Sequence, residues 1–390
     1  MKLNALSLFS SVGLAETYFE RNNINVVLSN EILEKRCDFH SHLYPNSKSI
    51  CGDITDKNVF DEVIEEAKNR NVNFIIATPP CQGMSTAGKM LKDDMRNKLI
   101  VPTIEVIKEL KPLFIIIENV PTMLKTKIFI GGKEILIPDY IHEELSSEYN
   151  FNEINLVNAM NYGVPQNRQR CVFLLSKKEL NLKWEFPEPS NKIITMRDAI
   201  GDLPSLDPHI TDIPYEELLK QFPDYEKKEK EGLEVSKWHH PPNHKLRHVI
   251  AMMHTPEGHS AFENEIFYPK LKNGKKSKGY NNTYKRQWWD KPAYTITRYT
   301  SRIGSQNNGH PGRVIKDDGT EEGRIYSDAR TLSVYELIIL SSLPVDWDIP
   351  DWATDNIVRE VIGEGVPPLL IEASLKSLNE LIDLEDFNGK

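Results

Sequence analysis

The chain has 390 residues, 39% hydrophobic and 27% charged, which fits two or three domains of roughly 150 residues each. It has no apolar run near the roughly 20 residues that span a bilayer and no signal-peptide cleavage site near Met1–Glu16. Four cysteines without a CxxC pair exclude a disulfide frame and a cysteine zinc site, and a net charge of −9, taken alone, argues against a nucleic-acid partner.

The first 185 residues alternate short apolar runs with helical stretches. Ala5–Phe9 ends in the small-residue turn Ser10–Ser11–Val12–Gly13, and Asn25–Leu28 runs into Ser29–Asn30–Glu31. Asn58–Asn69 reads as a helix. Phe74–Ala77 is a compact strand ending at Thr78–Pro79–Pro80–Cys81. Pro102–Leu110 is helical, Phe114–Ile117 ends at Glu118–Asn119–Val120, and Cys171–Leu175 is a further strand. This alternation predicts an α/β fold with a parallel, doubly wound sheet. Such sheets bind ligands beyond the carboxyl ends of their strands.

From about Trp184 to Arg324 the character changes to Pro, Gly, Asn, His and Tyr, with weak periodicity. Asp212–Glu234 is charged and helical in pattern. Residues 237–302 carry thirteen Lys or Arg against four acids, a surplus of nine, so the rest of the chain carries −18. Aromatics such as Trp288, Trp289, Tyr294 and Tyr299 are interleaved with these cations. The last 60 residues return to helical character.

Cys81 opens a loop at a strand end, where backbone N–H groups can lower a thiol pKa. The other cysteines read as small buried hydrophobes. Glu118 ends a neighbouring strand and would place an acid in the same cleft; alone it could equally be a helix cap. Glu31 lies 18 residues past Gly13, close to the spacing between a glycine turn and a ribose-binding acid. The turn has one glycine and no phosphate loop, which suits an adenosine cofactor without pyrophosphate. Gln166, Arg168 and Arg170 alternate on an extended segment and would share a face. His239, His240, His244 and His248 could hold a metal, but no cysteine partners them, and Pro, Lys and Trp around them suit a polyanion-facing surface.

In chain order, these blocks resemble the cytosine-C5 DNA methyltransferase family. The blocks are Leu8–Gly13, Asn30–Glu31, Gly52–Asp53–Ile54, Pro80–Cys81–Gln82, Glu118–Asn119–Val120, Tyr162–Arg170, Pro292–Ile296, His310–Pro311, Arg330–Glu336 and Ile362–Pro368. The resemblance implies a Rossmann-like S-adenosylmethionine-dependent catalytic domain, residues 1–185 plus 326–390, and a smaller target-recognition domain, 186–325. It implies a nucleophile, Cys81, that adds to cytosine C6, with Glu118 on the ring N3 and amine and Arg168 and Arg170 orienting the base. S-adenosylmethionine, released as S-adenosylhomocysteine, would lie against Phe9, Gly13, Glu31, Asp53, Ile54, Pro80, Leu99 and Val366, with no metal. Gln82, Ser85, Thr295, Ile296, Arg298, Arg302, Lys275 and Lys276 would contact double-stranded DNA, and Tyr299, Asn307 and Asn308 are further candidates for base reading. Three positions depart from the family pattern: Ser11 for glycine, Ile32 for an aromatic, and Glu364 for asparagine.

The resemblance also implies a monomeric, cytoplasmic, bacterial or phage-encoded restriction-modification enzyme, paired functionally with a restriction endonuclease and needing no membrane. Other readings are a tRNA cytosine-5 methyltransferase on the same scaffold, a catalytically inactive DNA-binding relative, and a nicotinamide-dependent oxidoreductase. The large basic insert favours DNA, and the Cys81 block favours catalysis.

Overall fold

The computed structural model describes residues 2–80, 98–320 and 322–388. Its centre is one eight-stranded sheet. The first half contributes β1 (Leu3–Leu8), β2 (Ile24–Glu31), α1 (Glu34–Leu43), β3 (Lys48–Cys51), α2 (Lys57–Asn69), β4 (Phe74–Ala77), α3 (Ile100–Leu110) and β5 (Phe114–Asn119). A hairpin of β6 (Lys127–Ile130) and β7 (Lys133–Leu136) follows, then α4 (Ile137–Leu145), β8 (Tyr149–Phe151), β9 (Leu156–Asn158) and β10 (Gln169–Lys177).

Strands β1 to β5 are parallel in the order β3-β2-β1-β4-β5. Their apolar runs are continuous because both faces are covered. Ile75, Ala77, Ile115 and Ile117 pack under α2, α3 and α4. Their neighbours Phe74, Ile76, Phe114 and Ile116 face the opposite side, with Trp184 and the later helix α11.

The expected all-parallel sheet is corrected at one edge: β10 runs antiparallel to β5, and β8 and β9 pair antiparallel with β10. An apolar run such as Cys171–Leu175 carries no mark of its direction. The reversal matters, because the start of β10 now lies beside the end of β5, pairing Cys171 with Asn119 and Val172 with Glu118.

The stretch between β10 and the last helices has little regular structure. It holds α5 (Met196–Ile200), β11 (His209–Ile210), α6 (Tyr215–Gln221), α7 (Tyr225–Val235), β12 (Asn243–His244), α8 (Leu246–Met253), β13 (Val314–Lys316) and β14 (Ile325–Tyr326). The charged stretch Asp212–Glu234 is two helices, because Phe222 before Pro223 leaves the helical region. The chain ends with α9 (Val334–Leu340), α10 (Asp355–Glu364) and α11 (Pro368–Asn388). Ile210, Leu218, Phe222, Tyr225, Val249 and Met252 form a small separate core with Ile303 and Ala329. Met196, Trp289, Ala293 and Ile296 instead join a cluster with Leu337, Val358 and Ile362 of the C-terminal helices and Val12 and Leu14 of the first turn.

Candidate active site

Parallel pairing aligns the carboxyl ends of β1, β2, β3, β4 and β5 on one edge. The turn after β1 is left-handed at Phe9 (φ 57°), Ser11 (φ 49°) and Gly13 (φ 84°). Gly13 is required there: a Cβ would lie 2.3 Å from the Tyr44 ring. Ser11 adopts a conformation that favours glycine and holds it through its N–H, which donates to Glu31 Oε2 at 2.9 Å. Glu31 Oε1 accepts from the N–H groups of Ile32 and Leu33 at 2.9 and 3.0 Å. The carboxylate is therefore fixed at the end of β2, facing the turn. Ser11 Oγ is buried with no hydrogen-bond partner.

Asp53 is exposed, and its Oδ1 accepts from Thr55 N and Oγ1. Ile54 and Val366 are buried, whereas Phe9, Pro80 and Leu99 are half-buried. Ile32 is exposed.

Glu118 and Arg170 meet where β5 and β10 cross the edge. Arg170 Nε lies 2.7 Å from Glu118 Oε1, and both side chains are buried. Burial pushes the Glu118 carboxyl above its ordinary value, opposed by the charges of Arg170 and Arg168. Asn119, part of the Glu118–Asn119–Val120 block but given no role by residue type, donates its amide to Pro79 O at 3.0 Å. It thereby ties β5 to the Pro79–Pro80 step that leads into Cys81. Cys81, Gln82 and Ser85 lie outside the described residues. Of the other cysteines, Cys51 at the end of β3 is exposed, not buried as expected, whereas Cys37 and Cys171 are buried; burial pushes both of these thiols up, Cys171 to about 12. Neither is a nucleophile in this state.

The alternation of Gln166, Arg168 and Arg170 is as expected: all three are buried, whereas Asn167 and Gln169 are exposed. Arg168, however, is engaged with backbone. Nη1 donates to Ile296 O at 2.7 Å, and Nη2 to Gly363 O and Gly365 O at 2.9 Å each. Gln166 Oε1 accepts from Ile296 N, and its Nε2 donates to Leu340 O. Arg168 and Gln166 thus lock the Thr295–Ile296 step and the end of α10 onto the sheet edge.

The expected DNA-facing side chains divide. Thr295 is exposed, its hydroxyl donating to Asn167 O at 2.8 Å. Arg302, Lys275 and Lys276 are exposed, and Lys276 Nζ lies 4.7 Å from the Tyr268 ring centroid. The Ile296 side chain, by contrast, is core, so only its backbone serves the site. Asn308 is buried with its amide on Thr300 O and Arg302 O, which makes it a loop clamp. Arg298 is paired with Glu360 and Glu364.

Among the described residues no group of His, Cys, Asp or Glu is arranged to hold a metal ion. His239 bonds Ser333 Oγ and Pro204 O, and His244 Nε2 accepts from Thr331 N. Among them, too, no helix is long and apolar enough to cross a membrane.

Together, the sheet order with its reversed edge strand, the turn–Glu31 pair and the buried Glu118–Arg170 pair define an enzyme of the Rossmann-like methyltransferase class. Residues 3–380 match the family described as C-5 cytosine-specific DNA methylase, and the chain belongs to that family. It is a DNA (cytosine-5-)-methyltransferase. It is 42% identical over 379 residues to the type II methyltransferase M1.HgaI of Avibacterium volantium, covering 95% of this chain and 97% of that one. The type II methyltransferase M.MthTI of Methanothermobacter thermautotrophicus is 33% identical over 212 residues, 53% of this chain and 59% of that one. Among solved structures, a prophage-encoded DNA modification methyltransferase of E. coli superposes with a TM-score of 0.62 at 21% identity, over 98% of this chain and 100% of that one. The Spodoptera frugiperda DNMT2 structure gives 0.53 at 17%, over 97% and 99%. These two likenesses concern the fold.

Proposed function

We propose that the enzyme methylates C5 of a cytosine flipped out of a specific duplex sequence, through a covalent Cys81–C6 adduct. The observation that carries this reading is the buried Glu118–Arg170 pair beside the Pro79–Pro80 step into Cys81. Cytosine C5 is a weak nucleophile. Addition of the Cys81 thiolate to C6 pushes electron density onto C5. Glu118, its carboxyl pushed up by burial, is suited to give a proton to ring N3 as that density develops. Arg170, fixed by Glu118, is placed to donate to the base O2. S-adenosylmethionine would supply the methyl group and leave as S-adenosylhomocysteine. Loss of the C5 proton then expels Cys81 and restores the thiolate. A base inside a duplex cannot reach this pocket, so it must be flipped out, at about a few kcal/mol.

The residues around the first turn fit that cofactor. Glu31 Oε2, which takes a single backbone bond from Ser11, keeps a lone pair suited to a ribose hydroxyl. The unpartnered Ser11 Oγ beside it points to a polar occupant. Phe9, Gly13, Asp53, Ile54, Pro80, Leu99 and Val366 complete the site in this reading. Gln82, Ser85, Thr295, Arg302, Lys275 and Lys276 would meet the duplex. Residues 1–185 with 326–390 act as the catalytic unit and 186–325 as the recognition unit. The surplus of nine cations in 237–302 supplies phosphate attraction, while the acidic remainder limits indiscriminate binding. The protein acts as a cytoplasmic monomer protecting DNA from a cognate endonuclease.

The test pairs wild type with Cys81→Ser. Bisulfite sequencing of plasmid from expressing cells is expected to show methylcytosine at one sequence context for wild type and none for the variant, while duplex binding persists. Wild type is also expected to form a denaturation-resistant adduct with a 5-fluorocytosine duplex. An active enzyme that leaves no adduct sinks the covalent route, and label in tRNA but not in DNA moves the substrate to RNA.

A further inference from the structure

We propose that Arg298 is a positioning residue: with Arg36, Glu360 and Glu364 it forms a four-charge clasp that seats the segment 295–302 against the cofactor side of the catalytic unit. The proposal rests on the functional reading above, which makes that segment face DNA and makes the turn after β1 face the cofactor.

Glu364 is the carboxylate that departs from the family's usual asparagine. Its Oε2 accepts from Arg36 Nη2 at 2.5 Å, and its Oε1 lies 3.1 Å from Arg298 Nη1. Glu360 Oε1 takes Arg298 Nη2 and lies 3.7 Å from Arg36 Nη2. Two cations and two anions therefore close a neutral ring. It joins three segments far apart in sequence: α1, just after Glu31; the last turns of α10; and the chain just after Thr295–Ile296. With asparagine at 364, two guanidinium groups would share one carboxylate.

The backbone beneath the clasp is equally tight. A Cβ on Gly363 would sit 2.3 Å from the Thr297 carbonyl carbon and 2.4 Å from Arg298 N. A Cβ on Gly365 would sit 2.5 Å from Leu14 Cδ2. The 363–365 stretch is thus wedged between the recognition segment and the turn that follows β1. Arg168 ties the same pieces through Ile296 O, Gly363 O and Gly365 O. Glu364 sits between the two wedged glycines, so its backbone is held where its carboxylate meets both Arg36 and Arg298. To read a guanine, Arg298 would first have to leave both acids. The ring's side chains are 17% to 36% exposed, so solvent screens it in part and its effect is modest.

The experiment is steady-state methyl transfer with tritiated S-adenosylmethionine and plasmid duplex, using Glu364→Gln, Arg298→Ala and the double variant, with bisulfite sequencing of the product. Each single variant is expected to raise KM for both cofactor and duplex by about threefold to tenfold, with kcat held within about twofold. The double variant is expected to be no worse than the worse single one, and the methylated sequence unchanged. Relaxed recognition at one base position in Arg298→Ala but not in Glu364→Gln would mean that Arg298 reads a base, overturning the proposal. Additive effects overturn it too, as does a lowered melting temperature with both KM values unchanged. Should Arg298→Ala fail to fold, the paired KM shifts in Glu364→Gln still decide. A wild-type protein that methylates no duplex refutes the enzymatic reading itself, a result distinct from any shift in KM.

Discussion

Arg170 Nε lies 2.7 Å from Glu118 Oε1 because β10 runs against β5 and starts where β5 ends. A parallel β10 would carry Arg170 to the opposite edge of the sheet. With both side chains buried, the ion pair limits how far burial can neutralise Glu118, while burial limits how firmly Arg170 can hold it ionised. The balance keeps a carboxyl whose proton is available at a higher pH than usual.

Glu118→Gln is expected to lower kcat by about 100- to 10,000-fold, with duplex binding retained. Since the proton-bearing form is the active one, kcat/KM of the wild type is expected to fall as pH rises through the raised Glu118 value. The pH–rate profile of the variant's residual activity should lack that limb. A variant that keeps the same limb would assign it to another group.

Arg168→Ala is expected to be a stability variant before it is a catalytic one. It strands the carbonyls of Ile296, Gly363 and Gly365 at a buried junction. A loss of about 2–4 kcal/mol follows, read as a lower urea midpoint. Arg168→Lys should recover little, since one ammonium cannot reproduce the planar fork. Unchanged midpoints in both variants would show that the junction closes without these bonds.

Gly13→Ala combines a left-handed backbone with a Cβ driven onto the Tyr44 ring, whose hydroxyl donates to Gly13 O at 2.5 Å. A cost of about 1–3 kcal/mol is expected, together with a higher KM for S-adenosylmethionine. Isothermal titration with S-adenosylhomocysteine checks it; unaltered affinity would separate the turn from the cofactor.

Glu16 lies buried beneath the same turn, taking a hydrogen bond from Ser7 Oγ, and burial pushes its carboxyl up to about 7. The folded state therefore prefers the protonated form, whereas the unfolded chain ionises near its ordinary value. Its contribution to stability is whole below about pH 4.5, is lost as pH rises to about 7, and is flat above. The loss is about 3 kcal/mol. Urea midpoints of Glu16→Gln are expected to lack this decline; a parallel decline in the variant would place its origin elsewhere.

The sequence by itself determined the strands and where their chemistry lies. Phe74–Ala77 and Phe114–Ile117 are apolar on both faces, and the polar groups that follow, Pro79–Cys81 and Glu118–Asn119, must then come at the carboxyl ends of their strands. The spacing from Gly13 to Glu31 was equally local. Only the tertiary structure decided the direction of β10, because an apolar strand reads the same both ways. It also decided what the insert's polar residues do. Arg298 and Asn308 look like base readers by residue type. Their partners, Glu360 and Glu364 for one and the carbonyls of Thr300 and Arg302 for the other, come from chain folding that residue type does not encode. A side-chain donor takes whatever acceptor the fold brings to it, and for half-buried Arg298 and buried Arg168 acceptors come from the far C-terminal helix α10 and its end.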